Sequence, residues 1–69
     1  MRYVVTIAPY LDASWSEWFD DLVITHDPAG TTTLTGTIPD QARLFTILCK
    51  IRDMNLILIK VEQIVAQQQ

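Results

Sequence analysis

The chain has 69 residues, a formal net charge of −3, one cysteine and one histidine. A single domain of this length has little core for its surface, and forming an oligomer is a common way to bury more of that surface. One cysteine excludes an internal disulfide, one histidine beside it excludes a standard four-ligand zinc site, and five scattered basic residues argue against a nucleic-acid surface.

The first predicted elements are a strand and a short helix. Apolar and polar residues alternate over residues 2–7, and Pro9 ends this strand because proline cannot donate to a sheet ladder. Ser14 and Glu17 then form a capping box, which predicts the start of a helix. The spacing i, i+3, i+4, i+7 predicts one apolar helix face, formed by Trp15, Trp18, Phe19 and Leu22.

A hairpin is predicted next. Residues 22–26 are typical of a second strand, and the sequence D-P-A-G at residues 27–30 predicts a turn, since aspartate starts such turns and glycine accepts a positive φ. The threonine-rich residues 31–37 predict a third strand that is half exposed. Leu34 and Gly36 mark the inner face of this strand.

The second half of the chain predicts a helix and a strand. Pro39 and Asp40 open the helix, because proline's missing N–H is harmless there and the carboxylate favours a helix start. The helix is expected to run to about residue 53, and Asn55 then takes the left-handed conformation that ends many helices. The last predicted strand, residues 56–65, begins with four successive aliphatic residues.

Strand, helix, hairpin, helix and strand follow one another in the ferredoxin-like βαββαβ order. We therefore predict an α+β domain with a four-stranded antiparallel sheet in strand order 4-1-3-2 and both helices on one face. The whole chain, residues 1–69, is expected to form this single domain, with residues 67–69 as a frayed tail.

The second predicted helix carries more apolar surface than one sheet face requires. An amphipathic helix on a sheet needs an apolar sector of only somewhat more than ~100°, and Phe45 lies outside that sector. Two explanations stay open at this point. Phe45 packs against Trp15 or Trp18 of the first helix, or it contacts a partner protein.

The pleat of the sheet directs alternate residues away from the helices, onto an outer face. The residues predicted on this outer face are mostly uncharged. Its apolar members are Val4, Val23, Leu56 and Leu58. An exposed apolar patch usually indicates an interface, and the last strand is expected at a sheet edge, where pairing with another chain is possible. We therefore expect a homo-oligomer, most simply a two-fold dimer, that uses this outer face, that edge or both. The alternative is a solvated threonine-rich face with scattered leucines.

Few residues suggest chemistry. His26 is adjacent to Asp27, but neighbours in a strand point to opposite faces, which favours a histidine at the sheet rim over an acid–base pair. Cys49 lies in mid-helix without an electropositive neighbour, which favours a packed or boundary cysteine over a reactive thiolate. Asp20 and Asp21 come nearest to paired carboxylates, and a solvated turn is favoured over an acid–base or metal site.

Motifs for cofactor binding are absent from the sequence, which has neither a glycine-rich phosphate loop nor a CxxC pair. Trp15 and Trp18 are assigned to core packing rather than to a ligand-stacking site. No apolar run approaches the roughly 18 residues of a membrane-spanning helix, and the first residues do not resemble a signal peptide. We therefore expect a cytoplasmic protein with no cofactor and no nucleic-acid or membrane partner.

Four sequence blocks resemble an uncharacterised family of very small bacterial proteins. The blocks are W-S-x-W-F-D-x-L at residues 15–22, G-T-T-x-L-x-G at residues 30–36, P-D-Q-A-x-L at residues 39–44 and I-R-D-x-x-L at residues 51–56. The resemblance implies a ferredoxin-like fold and no known activity, cofactor or catalytic residue. Asn55 stands where the family pattern usually has glycine, and the outer face is less polar because uncharged residues replace frequent charges at Val4, Thr6 and Ala8.

Arg52, within the fourth block, lies between apolar neighbours on the predicted second helix. A buried arginine needs a carboxylate partner, because an unpaired buried charge is strongly destabilising. We expect Asp20 or Asp21 to be that partner and to tie the second helix to the end of the first.

The expected function is a non-catalytic protein-interaction or regulatory module that acts as a small homo-oligomer or docks onto a partner protein. The alternative is a small-ligand-sensing dimer with the ligand at a subunit interface. An enzyme ranks third, and it would use His26, Asp20 or Asp21 at a shared cleft.

Overall fold

The sheet has its most buried strands at its centre and its most exposed strand at one edge. A computed structural model describes residues 1–65 of the chain. The elements in chain order are β1 (Arg2–Ala8), a 3₁₀ helix (Ala13–Phe19), β2 (Val23–His26), β3 (Thr32–Thr37), α1 (Gln41–Asp53) and β4 (Ile57–Ile64). All neighbouring strands are antiparallel, and their order is β2-β3-β1-β4, which reads β4-β1-β3-β2 from the opposite edge.

The α+β class, the four-stranded antiparallel sheet and the two helical segments are confirmed. The ferredoxin-like βαββαβ order is not matched, because the first connection holds a seven-residue 3₁₀ helix instead of an α-helix. This helix ends at Asp20 and Asp21, whose left-handed φ values of 57° and 62° cannot continue it. The predicted capping box is also wrong, since Asp12 is the N-cap and its carboxylate accepts from the Ser14 amide. The predicted frayed tail, residues 67–69, lies outside the described residues.

The 3₁₀ geometry explains why only half of the predicted apolar face is buried. A 3₁₀ helix has three residues per turn, so residues at i and i+3 share a side, but residues at i and i+4 do not. Trp15 and Trp18 share one side and are 43% and 49% exposed, so their predicted core packing is wrong. Phe19 is instead completely buried, and Leu22, three residues later, is buried with it.

The core lies between the inner face of the sheet and the two helical segments. Its buried apolar side chains are Tyr3, Val5, Ile7, Leu11, Phe19, Leu22, Leu34, Ile38, Leu44, Ile47 and Ile51. Thr32 is buried among them, and its Oγ1 accepts from the Leu11 amide at 3.1 Å. The 3₁₀ helix contacts β2 and α1 contacts β4, so the two helical segments cover different halves of one sheet face.

The predicted turn at residues 27–30 and the predicted start and end of α1 are confirmed. Gly30 has φ +95°, and its amide donates to the Asp27 carbonyl at 2.9 Å in the predicted turn. Asp40 is the N-cap of α1, where its carboxylate accepts from the Arg43 amide at 2.8 Å. Asn55 has the expected left-handed backbone after the helix, with φ 60°.

A β-bulge in β4 reverses part of the predicted inward and outward pattern. Thr6 is opposite Lys60 and Ile7 is opposite Leu58, so Ile59 is the extra residue. Because one inserted residue shifts the alternation, Leu58 lies on the inner face with Ile7. The prediction that Leu58 points outward is therefore wrong.

We expect Gly36→Ala to destabilise the fold, because a Cβ at this position would lie 2.8 Å from Leu22 Cδ2. Leu22 is buried, so it cannot swing into solvent, and overpacking of this kind costs about 1–3 kcal/mol of unfolding free energy. Urea denaturation monitored by circular dichroism measures the loss. The control is Gly36→Ala combined with Leu22→Val, which removes the clashing group, so the double variant should lose less than the sum of the single losses. Additive losses would contradict the contact.

Candidate protein interface

Within residues 1–65, the side chains considered for chemistry do not gather at one cleft. No group of three His, Cys, Asp or Glu residues that could hold a metal ion occurs within residues 1–65. A depression with a volume of about 370 Å³ lies at the far end of β4. Its lining residues are Met1, Arg2, Gln63, Ile64 and Val65. None of the residues predicted as candidates for chemistry contributes to it.

His26 is positioned by backbone and aromatic contacts. Its Nε2 lies 2.6 Å from the Leu11 carbonyl oxygen, and its ring stacks on Tyr10 at a centroid distance of 4.2 Å. Asp27 instead accepts from the Ala29 amide at 2.8 Å through its carboxylate. The two side chains therefore have separate partners. His26 connects the segment after β1 with the end of β2. Sequence reasoning missed Tyr10 and Leu11 because a backbone carbonyl leaves no signal in the sequence and the ring contact joins residues 16 positions apart.

The ion pair between the helical segments uses a different arginine from the one predicted. Arg43 Nε lies 2.7 Å from Asp20 Oδ2, and Arg43 Nη2 donates to Asp20 Oδ1 at 3.0 Å. Arg52 pairs with its neighbour Asp53, where both side chains are largely exposed. The prediction of an Arg52 pair with Asp20 or Asp21 is therefore wrong. Arg43 in the first turn of α1, rather than Arg52 in its last turn, is therefore the arginine that contacts Asp20.

A second cation strengthens the same junction. Lys50 Nζ donates to the Trp18 carbonyl at 2.8 Å and lies 4.8 Å from the centroid of the Trp18 ring. Arg43 and Lys50 are seven residues apart, which places them on one side of α1. This side of the helix is held against the 3₁₀ helix by contacts with a carboxylate, a carbonyl and an aromatic ring.

Phe45 lies on the opposite side of α1. At 100° per residue it is about 150° around the helix from Arg43 and Lys50. Its side chain is 58% exposed, so the predicted packing against Trp15 or Trp18 is wrong. Cys49 is also exposed and free on α1.

The predicted apolar patch on the outer sheet face is not contiguous. Val4 and Val23 share a row there, but Thr35 lies between them in the register. Leu58 is on the other face, and Leu56 is half buried against the core. The outer face is therefore closer to the threonine-rich alternative than to an apolar patch.

The exposed apolar surface is concentrated on β4. All eight residues of this strand are exposed, although the strand is mostly aliphatic. We define the β4 edge as its five apolar residues, namely Ile57, Leu58, Ile59, Val61 and Ile64. Their exposed fractions lie between 37% and 63%. Among the described strands β4 pairs with β1 alone, so its other side presents unpaired backbone groups that another strand can bind.

The chain was compared with known proteins. A family model described as Domain of unknown function (DUF8691) matches residues 2–62, which agrees with the predicted membership of an uncharacterised family. No curated protein and no solved structure matches the chain. No helix within residues 1–65 is both long enough and apolar enough to cross a membrane.

We expect Arg43→Gln to lower the unfolding free energy by about 0.5–1 kcal/mol, the usual value for a partly exposed ion pair. Arg52→Gln is the matched control on the same helix, and it should change stability by less than about 0.3 kcal/mol because its pair is exposed. Thermal denaturation at low and high salt measures both variants, and salt should reduce the Arg43 effect. Equal losses in the two variants would contradict the assignment of Asp20 to Arg43.

Proposed function

We propose that this chain, which belongs to the DUF8691 family of domains of unknown function, is a non-catalytic protein-interaction module that self-associates. The observation that carries the proposal is the β4 edge together with Phe45. Five aliphatic side chains of the edge strand and one aromatic side chain of α1 are exposed. Removing such surface from water contributes roughly 25 cal/mol per Å², which favours association over exposure.

The two sheet edges differ in a way that supports this choice of surface. Short or polar edge strands are a common protection against pairing with other chains. β2 has only four residues, and the 3₁₀ helix lies beside it. β4 has eight residues and no proline. The longer and more apolar edge is therefore the one expected to pair.

The dispersion of reactive groups supports a non-catalytic role. An acid–base or nucleophilic mechanism needs its groups within hydrogen-bond reach of one another. Asp20 is paired with Arg43, His26 contacts Tyr10 and Leu11, and Cys49 is on the exposed surface of α1. A partner surface needs only exposed apolar area and free backbone groups, which β4 offers.

We expect the wild-type chain to dimerise in a concentration series that reaches about 1 mM, where association as weak as roughly −4 kcal/mol is detected. Sedimentation equilibrium gives the mass. Phe45→Ser should weaken the dimer at least about tenfold without lowering thermal stability, because Phe45 lies outside the core. Trp15→Ser, which changes an exposed aromatic residue on the 3₁₀ helix, is the matched control and should leave the mass unchanged. A monomer throughout the series would contradict the proposal.

A small-ligand-sensing dimer is the second candidate, and the depression at the end of β4 favours it. Apolar Met1, Ile64 and Val65 line the depression together with Arg2, a combination that suits a small apolar carboxylic acid. The depression also borders the β4 edge, so a ligand bound in it would lie close to a subunit contact.

We expect, for this second candidate, that one class among branched-chain and aromatic carboxylic acids raises the melting temperature. A ligand at 100 times its Kd adds about 2.7 kcal/mol to stability. Differential scanning fluorimetry measures the shift, and Arg2→Ala should remove it. The absence of a shift across both classes would contradict ligand sensing at this site and leave the self-association proposal standing.

A further inference from the structure

We infer that a second copy of this chain pairs with β4 in antiparallel orientation, about a two-fold axis that passes beside Val61. The two four-stranded sheets then join into one continuous sheet. The inference rests on the proposed self-association and specifies its surface, its symmetry and its register. Three observations lead to it: the direction of the backbone groups of β4, the position of its two charges, and the regularity of the strand around them.

The direction of the backbone groups follows from one pair of residues at the start of β1. The Ile38 amide donates to the Met1 carbonyl at 2.6 Å, and the Met1 nitrogen donates to the Ile38 carbonyl at 3.2 Å. These reciprocal bonds show that Met1 directs its backbone groups toward β3. Because the direction alternates along a strand, Arg2, Val4 and Thr6 direct theirs toward β4.

The residues of β4 opposite these three therefore use their backbone groups inside the sheet. They are Ile64, Glu62 and Lys60. By the same alternation, Val61 and Gln63 direct their N–H and C=O groups away from the sheet. Val61 thus presents one donor and one acceptor at the free edge. A second Val61 related by a two-fold axis presents the same two groups in the complementary direction.

The charges of β4 select one register for such pairing. With Val61 opposite Val61 of the second copy, Lys60 lies opposite Glu62, and symmetry creates a second identical charge pair. Moving the axis by one residue toward the start of β4 would place two lysines opposite each other. Moving it one residue the other way would place two glutamates opposite each other. Opposite charges stabilise a cross-strand pair and like charges destabilise it, so the Val61 register is preferred.

Both charges lie on the same face of the sheet, as this register requires. Within the chain, Lys60 Nζ is 3.4 Å from Glu62 Oε1, and both side chains are more than half exposed. An edge lysine normally protects against pairing, because another strand would bury its charge without a partner. Here each lysine meets a carboxylate of the second copy. The charge therefore permits pairing with this particular strand and disfavours strands that lack the matching glutamate.

The remaining features of β4 are consistent with a two-fold axis beside Val61. Lys60 to Ile64 pairs regularly with β1, so this segment has the flat geometry that another strand needs. The bulge at Ile59 limits the regular ladder on one side of the axis and, by symmetry, on the other. The two Val61 side chains meet on the inner face, where each is 37% exposed in the single chain. Pairing therefore removes apolar surface as well as satisfying backbone groups.

The test reverses each of the two charges in a separate variant. Lys60→Glu and Glu62→Lys should each weaken self-association at least about tenfold, because every variant dimer has two like-charge pairs in place of two opposite ones. An equimolar mixture of the two variants should dimerise about as tightly as the wild type, since all cross-strand pairs are then opposite in sign. Sedimentation velocity with one variant labelled by a fluorophore measures the mixed dimer. The intrachain Lys60–Glu62 contact cannot produce this result, because it is lost in both variants and is not restored by mixing.

A second arm does not depend on charge. In a Cys49→Ala background, Val61→Cys should form an intermolecular disulfide under mild oxidation, because opposite Cα atoms in such a pair are about 5.5 Å apart. Gln63→Cys is the matched control on the same edge. Its two cysteines would be displaced by about 13 Å along the strands, at roughly 3.3 Å per residue, which is too far for a disulfide.

The outcomes separate this inference from the proposed function. A wild-type chain that stays monomeric overturns both. A wild-type dimer whose single charge variants self-associate unchanged, or whose Gln63→Cys variant crosslinks as readily as Val61→Cys, overturns the β4 register and leaves self-association through another surface. Loss of the dimer in both single variants, its return in the mixture and selective crosslinking at position 61 support the inference. Circular dichroism of each variant confirms that the fold is retained.

Discussion

The junction between α1 and the 3₁₀ helix fixes which side of α1 faces the 3₁₀ helix. Arg43 contacts Asp20 through two nitrogens, and Lys50 contacts the carbonyl and the ring of Trp18. These contacts hold one side of α1 toward the β2 half of the molecule. The helix still contacts β4, but every residue of that strand remains exposed. The exposed β4 and the exposed Phe45 therefore both lie outside this junction.

Local signals in the sequence predicted the fold where short-range interactions decide it. Asp40 caps α1 and Asn55 ends it, because a carboxylate accepting from a nearby amide and a left-handed backbone both act within a few residues. The burial of Leu34 followed from strand alternation alone. Membership of an uncharacterised family was also predicted, and the family model that matches residues 2–62 agrees with it. These features require no knowledge of how distant segments meet.

The wrong predictions concern features that depend on tertiary contacts or on a shift of one residue along a strand or helix. The apolar helix face predicted to include Trp15 and Trp18 was based on 3.6 residues per turn. The segment is a 3₁₀ helix with three residues per turn, and both side chains are exposed. The extra residue Ile59 moved Leu58 to the inner face, and no sequence pattern marks that bulge. Which arginine pairs with Asp20 depends on which side of α1 faces the 3₁₀ helix, and Arg43 and Arg52 lie on opposite sides. The sequence therefore predicted that the candidate site includes an edge strand, but it did not predict which residues contact one another there.

The exposed edge is compatible with a stable fold because its charges restrict what can bind. An apolar edge with no charge would pair with many strands in many registers, including those of unfolded chains. Lys60 and Glu62 share one face, one on each side of Val61. A sequence with opposite charges at equal distances from a central residue is complementary to itself only in antiparallel orientation and only in one register. Each charge disfavours pairing with a strand that lacks the opposite charge at the matching position. A second copy of the same strand supplies both opposite charges, so pairing with it is favoured.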